Sequence, residues 1–365
     1  MKYFEEYRSP QIIEEYIAKI KHVVRGQWNI MEVCGGQTHA IFRYGIDQLL
    51  PSNITLLHGP GCPVCVTPAQ IIDQAIAISL KPDVIFCTFG DMIRVPGNDK
   101  DLISARGRGA IIKIVYSPLD AVTMAQNNLD KEIVFFAIGF ETTAPLNASA
   151  VLMADKLGIK NFSILNGMVR IPPAIEALLS NPQCRIDAFL APGHVCTITG
   201  LSEYESLVDK YHLPIVATGF EPVDLIRGIY EAAFQLENGQ ASLGNQYSRA
   251  VNYDGNKKAQ FIIDQAFNII DRDWRGLGNI KNSGYVLKEK YKRYDATSRF
   301  NIPLSNTENK NGCIVSDILR GLAEPNQCPE FGNNCQPEHP LGPMMVSSEG
   351  ACAAYYKYRS NYAKR

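Results

Sequence analysis

The chain has 365 residues, of which 46% are apolar and 20% are charged, and this composition excludes a disordered or fibrous protein. Its 36 Lys and Arg residues are balanced by 37 Asp and Glu residues, so we expect neither nucleic acid nor an anionic membrane as a partner. The length predicts two or three domains, and the lack of a secretory signal or a membrane-spanning apolar run predicts a cytoplasmic protein.

The first predicted element is a helix over about residues 9–24, where Ser9 suits the N-cap and apolar residues recur at helical spacing. From residue 28 to 235, short apolar runs alternate with helical segments. Because the runs are continuously apolar, they predict strands buried on both faces, as in a parallel sheet covered by helices. The runs occupy residues 83–89, 110–116, 133–138, 162–165, 186–191 and 213–218.

This alternation predicts an α/β fold with two parallel-sheet domains, one over residues 28–125 and the other over residues 126–235. Four of the runs end in Gly-containing loops, and loops at the carboxyl ends of parallel strands line the ligand crevice. After residue 236 we expect a helix near residues 258–270, followed by a Gly-, Asn-, Pro- and Cys-rich stretch. This tail is assigned with residues 1–27 to a third domain, which its cysteines could staple.

Ten cysteines are many for a chain expected in the cytosol, where thiols are kept reduced, so they call for a metal or redox explanation. Cys87 lies inside an apolar run and Cys184 is isolated, and both fit the simpler interpretation as small apolar side chains. Most of the other cysteines lie in more specific sequence motifs.

The sequence GPGCPVC at residues 59–65 places Cys62 and Cys65 in a CxxC motif. Thr67 and Gln70 predict a capping box, so we expect a helix to begin just after Cys65. The positive end of that helix would favour a thiolate, and CxxC sulfurs are close enough to form a disulfide. Half of a structural zinc site is the alternative interpretation.

A second motif, MEVCGG at residues 31–36, places Cys34 between a short apolar run and two glycines. The glycines let other atoms approach the sulfur, and His39 is a candidate donor near it. The local pattern is equally compatible with a buried structural cysteine at the end of a strand.

Four cysteines in the turn-rich tail form a third set, with 14, 6 and 16 residues between them. Four thiolates suit either a tetrahedral zinc ion or a [4Fe-4S] cluster, and the spacing leaves both open. His58 and His339 also lie near cysteines in sequence, but a lone histidine is more often hydrogen-bonded than a ligand. The four cysteines are Cys313, Cys328, Cys335 and Cys352.

Five motifs in this order resemble the HypD family of hydrogenase maturation proteins, over about residues 3–358. They are MEVCGG at residues 31–36, GPGCPVC at 59–65, FETTAP at 140–145, APGHV at 191–195 and MVSSEGACAAYY at 345–356. Many family members have a histidine where this chain has Gln37, so a role for that imidazole is not carried over, whereas His39 matches.

The resemblance implies two α/β domains facing a cleft and a C-terminal, largely irregular or helical domain with a [4Fe-4S] cluster on the four tail cysteines. It implies that iron carrying two cyanides and one carbon monoxide, Fe(CN)2CO, is assembled at Cys34, with Cys62 and Cys65 as further contacts. The residues it implies as reactive are Cys34, Cys62, Cys65, His39, His194 and Glu141.

The resemblance also implies partners. A small HypC-type chaperone would share the iron, HypE would bind transiently as the cyanide donor, and the hydrogenase large subunit would receive the product. Soft thiolates suit low-spin iron with such ligands. Cyanide transfer from a thiocyanate-like carrier needs electrons, which a cluster and a dithiol can supply.

Two other functions remain open at this point. An iron-sulfur thiol-disulfide oxidoreductase would use Cys62 and Cys65 but would have no use for Cys34. A zinc-stapled binding module would keep the four tail cysteines and be redox-silent.

Overall fold

The computed structural model describes residues 5–303 and 312–359, so residues 304–311 and 360–365 of the predicted third domain lie outside the described part. The strands are β1 (Trp28–Glu32), β2 (Ile54–His58), β3 (Val84–Thr88), β4 (Ile111–Ile114), β5 (Glu132–Ala137), β6 (Phe162–Asn166), β7 (Ala188–Pro192), β8 (Ile215–Thr218), β9 (Leu243–Asn245), β10 (Phe267–Trp274) and β11 (Gly278–Leu287).

The helices up to the end of the second sheet region are α1 (Pro10–Val23), α2 (Gly35–Tyr44), α3 (Ile46–Leu49), α4 (Pro63–Val66), α5 (Ala69–Ser79), α6 (Leu102–Gly107), α7 (Pro118–Asn127) and α8 (Ala144–Lys156). The later helices are α9 (Ile171–Leu179), α10 (Gly193–Thr199), α11 (Ser202–Tyr211), α12 (Pro222–Glu237), α13 (Lys257–Ala266), α14 (Ala296–Phe300), α15 (Val315–Leu319) and α16 (Ala351–Arg359). Short 3-10 turns lie at Glu5–Arg8, Gly90–Arg94, Glu289–Tyr294, Pro325–Gln327 and Pro343–Met345.

Two parallel sheets form the body of the protein. The first sheet has the strand order β2-β1-β7-β8-β9 and the second has the order β4-β3-β5-β6, with every pairing in both parallel. Helices cover both sheets, and the part after β9 consists of a hairpin and short helices. The predicted α/β class with a helical C-terminal part is therefore confirmed.

Alternate residues along the strands pack into different cores. In the first sheet Met31 and Phe189 belong to one cluster of buried side chains, whereas Ile30 and Leu190 belong to another. Because successive side chains of a strand point to opposite faces, this division shows that both faces are covered. Continuous apolar runs are the expected sequence pattern for such strands.

All six predicted strands are present, but β4 is less buried than its sequence indicated. It is the edge strand of the second sheet, and Ile111 and Ile114 remain 42% and 49% exposed. The helix predicted from Ser9 is also present as α1, with Ser9 at its N-cap.

The sheets divide the chain differently from the predicted boundary near residue 126. The first sheet takes its strands from residues 28–58 and 188–245, and the second takes them from residues 84–166. β4 and β5 lie on either side of that boundary, yet both pair with β3. Strand order depends on packing between distant segments, which local apolar patterns do not record.

An antiparallel hairpin lies where the sequence indicated the end of a helix. The helix predicted over residues 258–270 ends at Ala266, and β10 and β11 then pair from Phe267 to Leu287. The expectation that residues 267–270 are helical is wrong. In the described ranges no helix is long and apolar enough to cross a membrane.

Candidate functional site

The candidate site lies at the carboxyl edge of the first sheet. Cys34 follows β1, Cys62 follows β2, His194 follows β7 and Phe220 follows β8. Parallel strands end at the same edge, so four separate segments of the chain meet there. The expected gathering of polar and reactive side chains at strand ends is thus observed in the first sheet.

Cys34 is the N-cap residue of α2 and is only 2% exposed. Its Sγ lies 3.6 Å from Nδ1 of His194, whose ring packs on Phe220 with the ring centroids 5.2 Å apart. A Cβ added at Gly36 would lie 3.1 Å from the Phe220 ring and 3.7 Å from the Cys34 sulfur. A side chain at position 36 would therefore crowd Phe220 and contact the sulfur.

Burial determines the charge of this pair. Burial raises the pKa of the Cys34 thiol far above the usual range, and the nearby carboxylates of Glu349 and Glu32 raise it further. The backbone N–H groups of Gln37 and Gly36 lower this pKa, but only in part. Burial also lowers the pKa of His194 to about 4, so the imidazole is neutral at pH 7. The site therefore presents a protonated thiol beside a neutral imidazole.

Cys62 and Cys65 form a disulfide, with their Cα atoms 5.2 Å apart. Cys62 is the N-cap of the short helix α4, and the Cys65 N–H points at the Cys62 sulfur at 3.2 Å. The predicted capping box is wrong: α5 begins at Ala69, and the Thr67 hydroxyl donates back to the Pro63 carbonyl at 2.8 Å. The CxxC motif has its own helical turn, which uses the Thr67 side chain before α5 starts.

The two cysteine loops touch each other. The Gly35 N–H donates to the Gly61 carbonyl at 2.8 Å, and a Cβ added at Gly61 would overlap the backbone N and Cα of Cys34. Only glycine fits this contact. The disulfide loop and Cys34 are therefore held against each other by their backbones.

Two predicted site residues have other partners. His39 Nδ1 lies 3.0 Å from the Ser348 carbonyl, and its Nε2 lies 3.4 Å from the Tyr358 hydroxyl, so it faces the C-terminal segment. Glu141 is fully buried and accepts the Ile171 N–H at the start of α9, at 3.0 Å. Burial raises the pKa of Glu141 to about 7. His194 is the histidine beside Cys34.

Gln37 has a structural setting of its own. It is fully buried, and its Nε2 donates to the Ala191 carbonyl at 3.0 Å and to the Thr218 hydroxyl at 2.6 Å. These bonds tie α2 to the ends of β7 and β8. The residue that replaces the frequent family histidine thus joins three segments of the site.

Sequence reasoning missed Glu32 and set His58 aside, and the structure connects both to Cys34. The buried Glu32 carboxylate accepts the Cys34 N–H at 2.9 Å, and His58 Nδ1 lies 2.8 Å from the same carboxylate. Both residues end neighbouring strands and are opposite each other in the β1–β2 register. The only sequence signal was the position of each beside a cysteine motif.

The four tail cysteines lie in one region. A small apolar cluster contains Met345 and Phe331 together with Cys328, Cys335 and Cys352. Burial raises the pKa of the Cys352 thiol, and the other three tail thiols raise it further. Among the described residues no group of three or more potential ligands has the arrangement of a single-ion site. Four thiols in one region are the number of ligands that either a zinc ion or a [4Fe-4S] cluster requires.

One short segment touches both the tail cysteines and the disulfide. The Leu341 N–H donates to the Cys335 sulfur at 3.4 Å, and a Cβ at Gly342 would lie 2.7 Å from the Cys313 sulfur. The Pro343 carbonyl lies 3.9 Å from the Cys65 sulfur. Three consecutive residues thus connect the two cysteine sets.

Cys87 and Cys184 have settings that agree with the simpler interpretation. Cys87 is fully buried in β3, with its sulfur 3.8 Å from the Met124 sulfur, and burial raises its pKa to about 12. Cys184 is half-buried in a loop after α9.

Comparison with known proteins extends over nearly the whole chain. The family model described as "HypD: Hydrogenase formation hypA family" matches residues 11–359. The chain is 45% identical to the hydrogenase maturation factor HypD of Azotobacter vinelandii, with 98% of this chain and 97% of the relative covered. It is 44% identical to the protein of the same name from Escherichia coli K12, with 98% of both chains covered. With its cysteine motifs placed as described, the chain belongs to the HypD family of hydrogenase maturation factors.

Proposed function

We propose that this protein holds iron at Cys34 while two cyanides and one carbon monoxide are attached to it. The observation that carries this proposal is the setting of Cys34: a buried sulfur with no side chain over it from Gly36, beside the neutral His194 and the disulfide loop. Iron binding would displace the thiol proton. The nearby imidazole can accept a hydrogen bond, but its pKa of about 4 means that it would hold this proton only weakly. Soft thiolates suit low-spin iron with cyanide and carbon monoxide.

A small HypC-type chaperone is the proposed partner that contributes a second thiolate to the iron. HypE would bind transiently as the cyanide donor, and the hydrogenase large subunit would receive the finished group. Once reduced, Cys62 and Cys65 are the next candidate iron contacts, because the Gly61 backbone packs directly on Cys34. We expect these steps to occur in the cytoplasm.

The proposed role of the Cys62–Cys65 pair is to supply two electrons for cyanide transfer. Release of cyanide from a thiocyanate carrier breaks a sulfur-carbon bond, takes up two electrons and leaves a thiol. The dithiol loses two electrons and two protons as the disulfide forms. One proton ends on the carrier thiol and the other leaves with cyanide or to solvent, so the step balances.

Cys313, Cys328, Cys335 and Cys352 would hold a [4Fe-4S] cluster, which supplies electrons one at a time. Regenerating the dithiol takes two such electrons, derived from an external one-electron donor protein, and two protons from solvent. The contacts of Leu341, Gly342 and Pro343 support this role, since they join two of the tail cysteines to Cys65.

The cluster assignment is tested by metal analysis. Protein purified without oxygen should be brown and should contain iron and acid-labile sulfide in equal amounts. Stoichiometric zinc without sulfide would exclude the cluster and leave a zinc staple.

The function itself is tested on the protein copurified with its chaperone. Infrared spectra should show bands of iron-bound cyanide and carbon monoxide. The disulfide favours one competing function, an iron-sulfur thiol-disulfide oxidoreductase. Copurified protein without these bands, but with rapid reduction of protein disulfides, would establish that competing function instead.

A further inference from the structure

Glu32 and His58 occupy the ends of neighbouring strands. Glu32 is the last residue of β1 and His58 is the last residue of β2, and the two are partners in the parallel register. The Glu32 side chain is fully buried, whereas the His58 side chain is 11% exposed. A carboxylate in this position must be fully hydrogen-bonded to remain charged.

The Glu32 carboxylate has three donors. Oε2 accepts the Cys34 N–H at 2.9 Å, while Oε1 accepts the Thr38 hydroxyl and lies 2.8 Å from His58 Nδ1. A carboxylate oxygen accepts hydrogen bonds, and this assigns the proton of the Oε1–Nδ1 contact to His58 Nδ1. The carboxylate therefore joins the backbone of Cys34, the first turn of α2 and the end of β2.

The backbone of the same residue holds the second cysteine loop. The Gly59 N–H donates to the Glu32 carbonyl at 2.9 Å, and the Gly61 carbonyl accepts the Gly35 N–H at 2.8 Å. Gly59 also packs closely on Met31 and Val33, so the turn into the CxxC motif has little freedom. Both cysteine loops are thus attached to one strand end.

We infer that Glu32 and His58 form a clamp that sets the position of Cys34 relative to the Cys62–Cys65 loop. Neither side chain is placed on the iron or on the sulfurs, so both are positioning residues. Loss of the His58 donor leaves a buried carboxylate short of one partner and frees the Cys34 backbone to move. The purpose of the fixed separation rests on the proposed function, but the clamp itself does not.

Two substitutions at His58 separate the donor from the ring. His58→Phe keeps an aromatic ring against Phe42, whose centroid lies 4.6 Å away, but removes the N–H. His58→Asn keeps an N–H donor near the position of Nδ1 and removes the ring. The measurement is the rate at which iodoacetamide alkylates Cys34, followed by peptide mass spectrometry in protein with the Cys62–Cys65 disulfide intact.

The buried Cys34 should react slowly in the wild type and about tenfold faster in His58→Phe, because a buried acceptor left without its donor costs ~1.4 kcal/mol, which corresponds to a factor of ten. His58→Asn should restore a rate close to that of the wild type. Equal rates in the wild type and His58→Phe would overturn the inference, and so would a rate in His58→Asn as high as that in His58→Phe.

A spectroscopic measurement identifies the bond directly. In protein with 15N-labelled histidine, the Nδ1-bound proton of His58 should give a downfield resonance that disappears in His58→Asn and shifts in Glu32→Gln. Its absence from the wild type would contradict the clamp even if a variant failed to fold. Neither measurement needs iron, so failure here is distinct from failure of the iron proposal.

Discussion

Burial shifts the pKa values of two neighbouring side chains, Cys34 and His194, in opposite directions. It raises the pKa of the thiol and lowers that of the imidazole, and both effects favour the uncharged forms. The pair is therefore uncharged at neutral pH, and a metal bound at the sulfur would displace the thiol proton. His194 Nδ1 lies 3.6 Å from the sulfur, but with its lowered pKa it would hold that proton only weakly.

Glu141 gives a prediction about stability and pH. Its pKa is about 7 in the folded protein, above the unperturbed value of 4.5, so the folded state holds the proton more tightly. The resulting stabilisation is complete below pH 4.5 and is lost as the pH rises through 7. Between pH 5 and 8 the wild type should lose roughly 2–3 kcal/mol of unfolding free energy relative to Glu141→Gln.

Urea unfolding of both proteins across this pH range is the measurement. Gln keeps an acceptor for the Ile171 N–H but has no proton to lose, so it is the matched control. Parallel pH profiles for the two proteins would show that Glu141 is already ionised in the folded state.

The CxxC pair gives a second prediction at this scale. In the reduced protein Cys62 should have a pKa below the ordinary value of about 8.5, because the Cys65 N–H and the start of α4 face its sulfur. Alkylation of each thiol against pH, read by mass spectrometry, measures this. An ordinary titration of Cys62, or a lower pKa at Cys65, would refute the assignment.

The cysteines of the candidate site could be named from sequence because their motifs are local. Glu32 and His58 could not, since their contact depends on the register of β1 against β2. His39 lies only five residues after Cys34, yet it faces the C-terminal segment, because helical geometry turns it away from the N-cap. Short sequence separation was therefore a poor guide to contact within α2.

Among the elements, the loops after β1 and β2 depend on close backbone contact. Gly61 packs on the backbone of Cys34, and Gly59 packs on Met31 and Val33. Such contacts leave no room for a side chain, so the glycines are needed for space rather than for flexibility.

Gly61→Ala tests this contact. The added Cβ would overlap the Cys34 backbone, so the variant should lose roughly 1–3 kcal/mol of unfolding free energy through overpacking. Gly107→Ala is the control, because a Cβ there meets open space at the exposed end of α6. That control should be neutral or stabilised by up to about 1 kcal/mol. Denaturant unfolding of both variants measures these free energies. A Gly61→Ala protein as stable as the control would show that position 61 tolerates a side chain.

Elements with strong local signals were predictable, and the hairpin was not. The apolar residues Phe267, Ile269 and Ile270 follow α13 directly, so the sequence predicts that the helix continues through them. Burial in β10 is confined to its two ends, which weakens the alternation expected of a strand. Gly276 and Gly278, both with positive φ, mark the turn and were the available signal.

For the whole molecule, the order of strands joins distant parts of the chain. β7 lies between β1 and β8, so the first sheet is complete only when residues 188–218 meet residues 28–58. The C-terminal segment then returns to the same edge, where α16 packs on α2 and Arg359 pairs with Asp47. Local sequence patterns place a boundary near residue 126, whereas the sheets divide the chain elsewhere because their strands pair over long sequence distances.

The two proposed metal sites use different cysteines. Cys34 lies at the carboxyl edge of the first sheet, and the four tail cysteines belong to the segment after residue 312, with the contacts of residues 341–343 between the tail and the disulfide. A change at one site should therefore leave the other intact.

Cys34→Ala, copurified with the chaperone, is the most direct test of the central claim. The variant removes one sulfur and leaves the tail cysteines untouched, so it should keep the iron and acid-labile sulfide of the cluster and its brown colour. Its infrared spectrum should lack the bands of iron-bound cyanide and carbon monoxide that the wild type shows. If those bands persist at wild-type intensity, iron is held elsewhere, and Cys62 and Cys65 become the leading candidates.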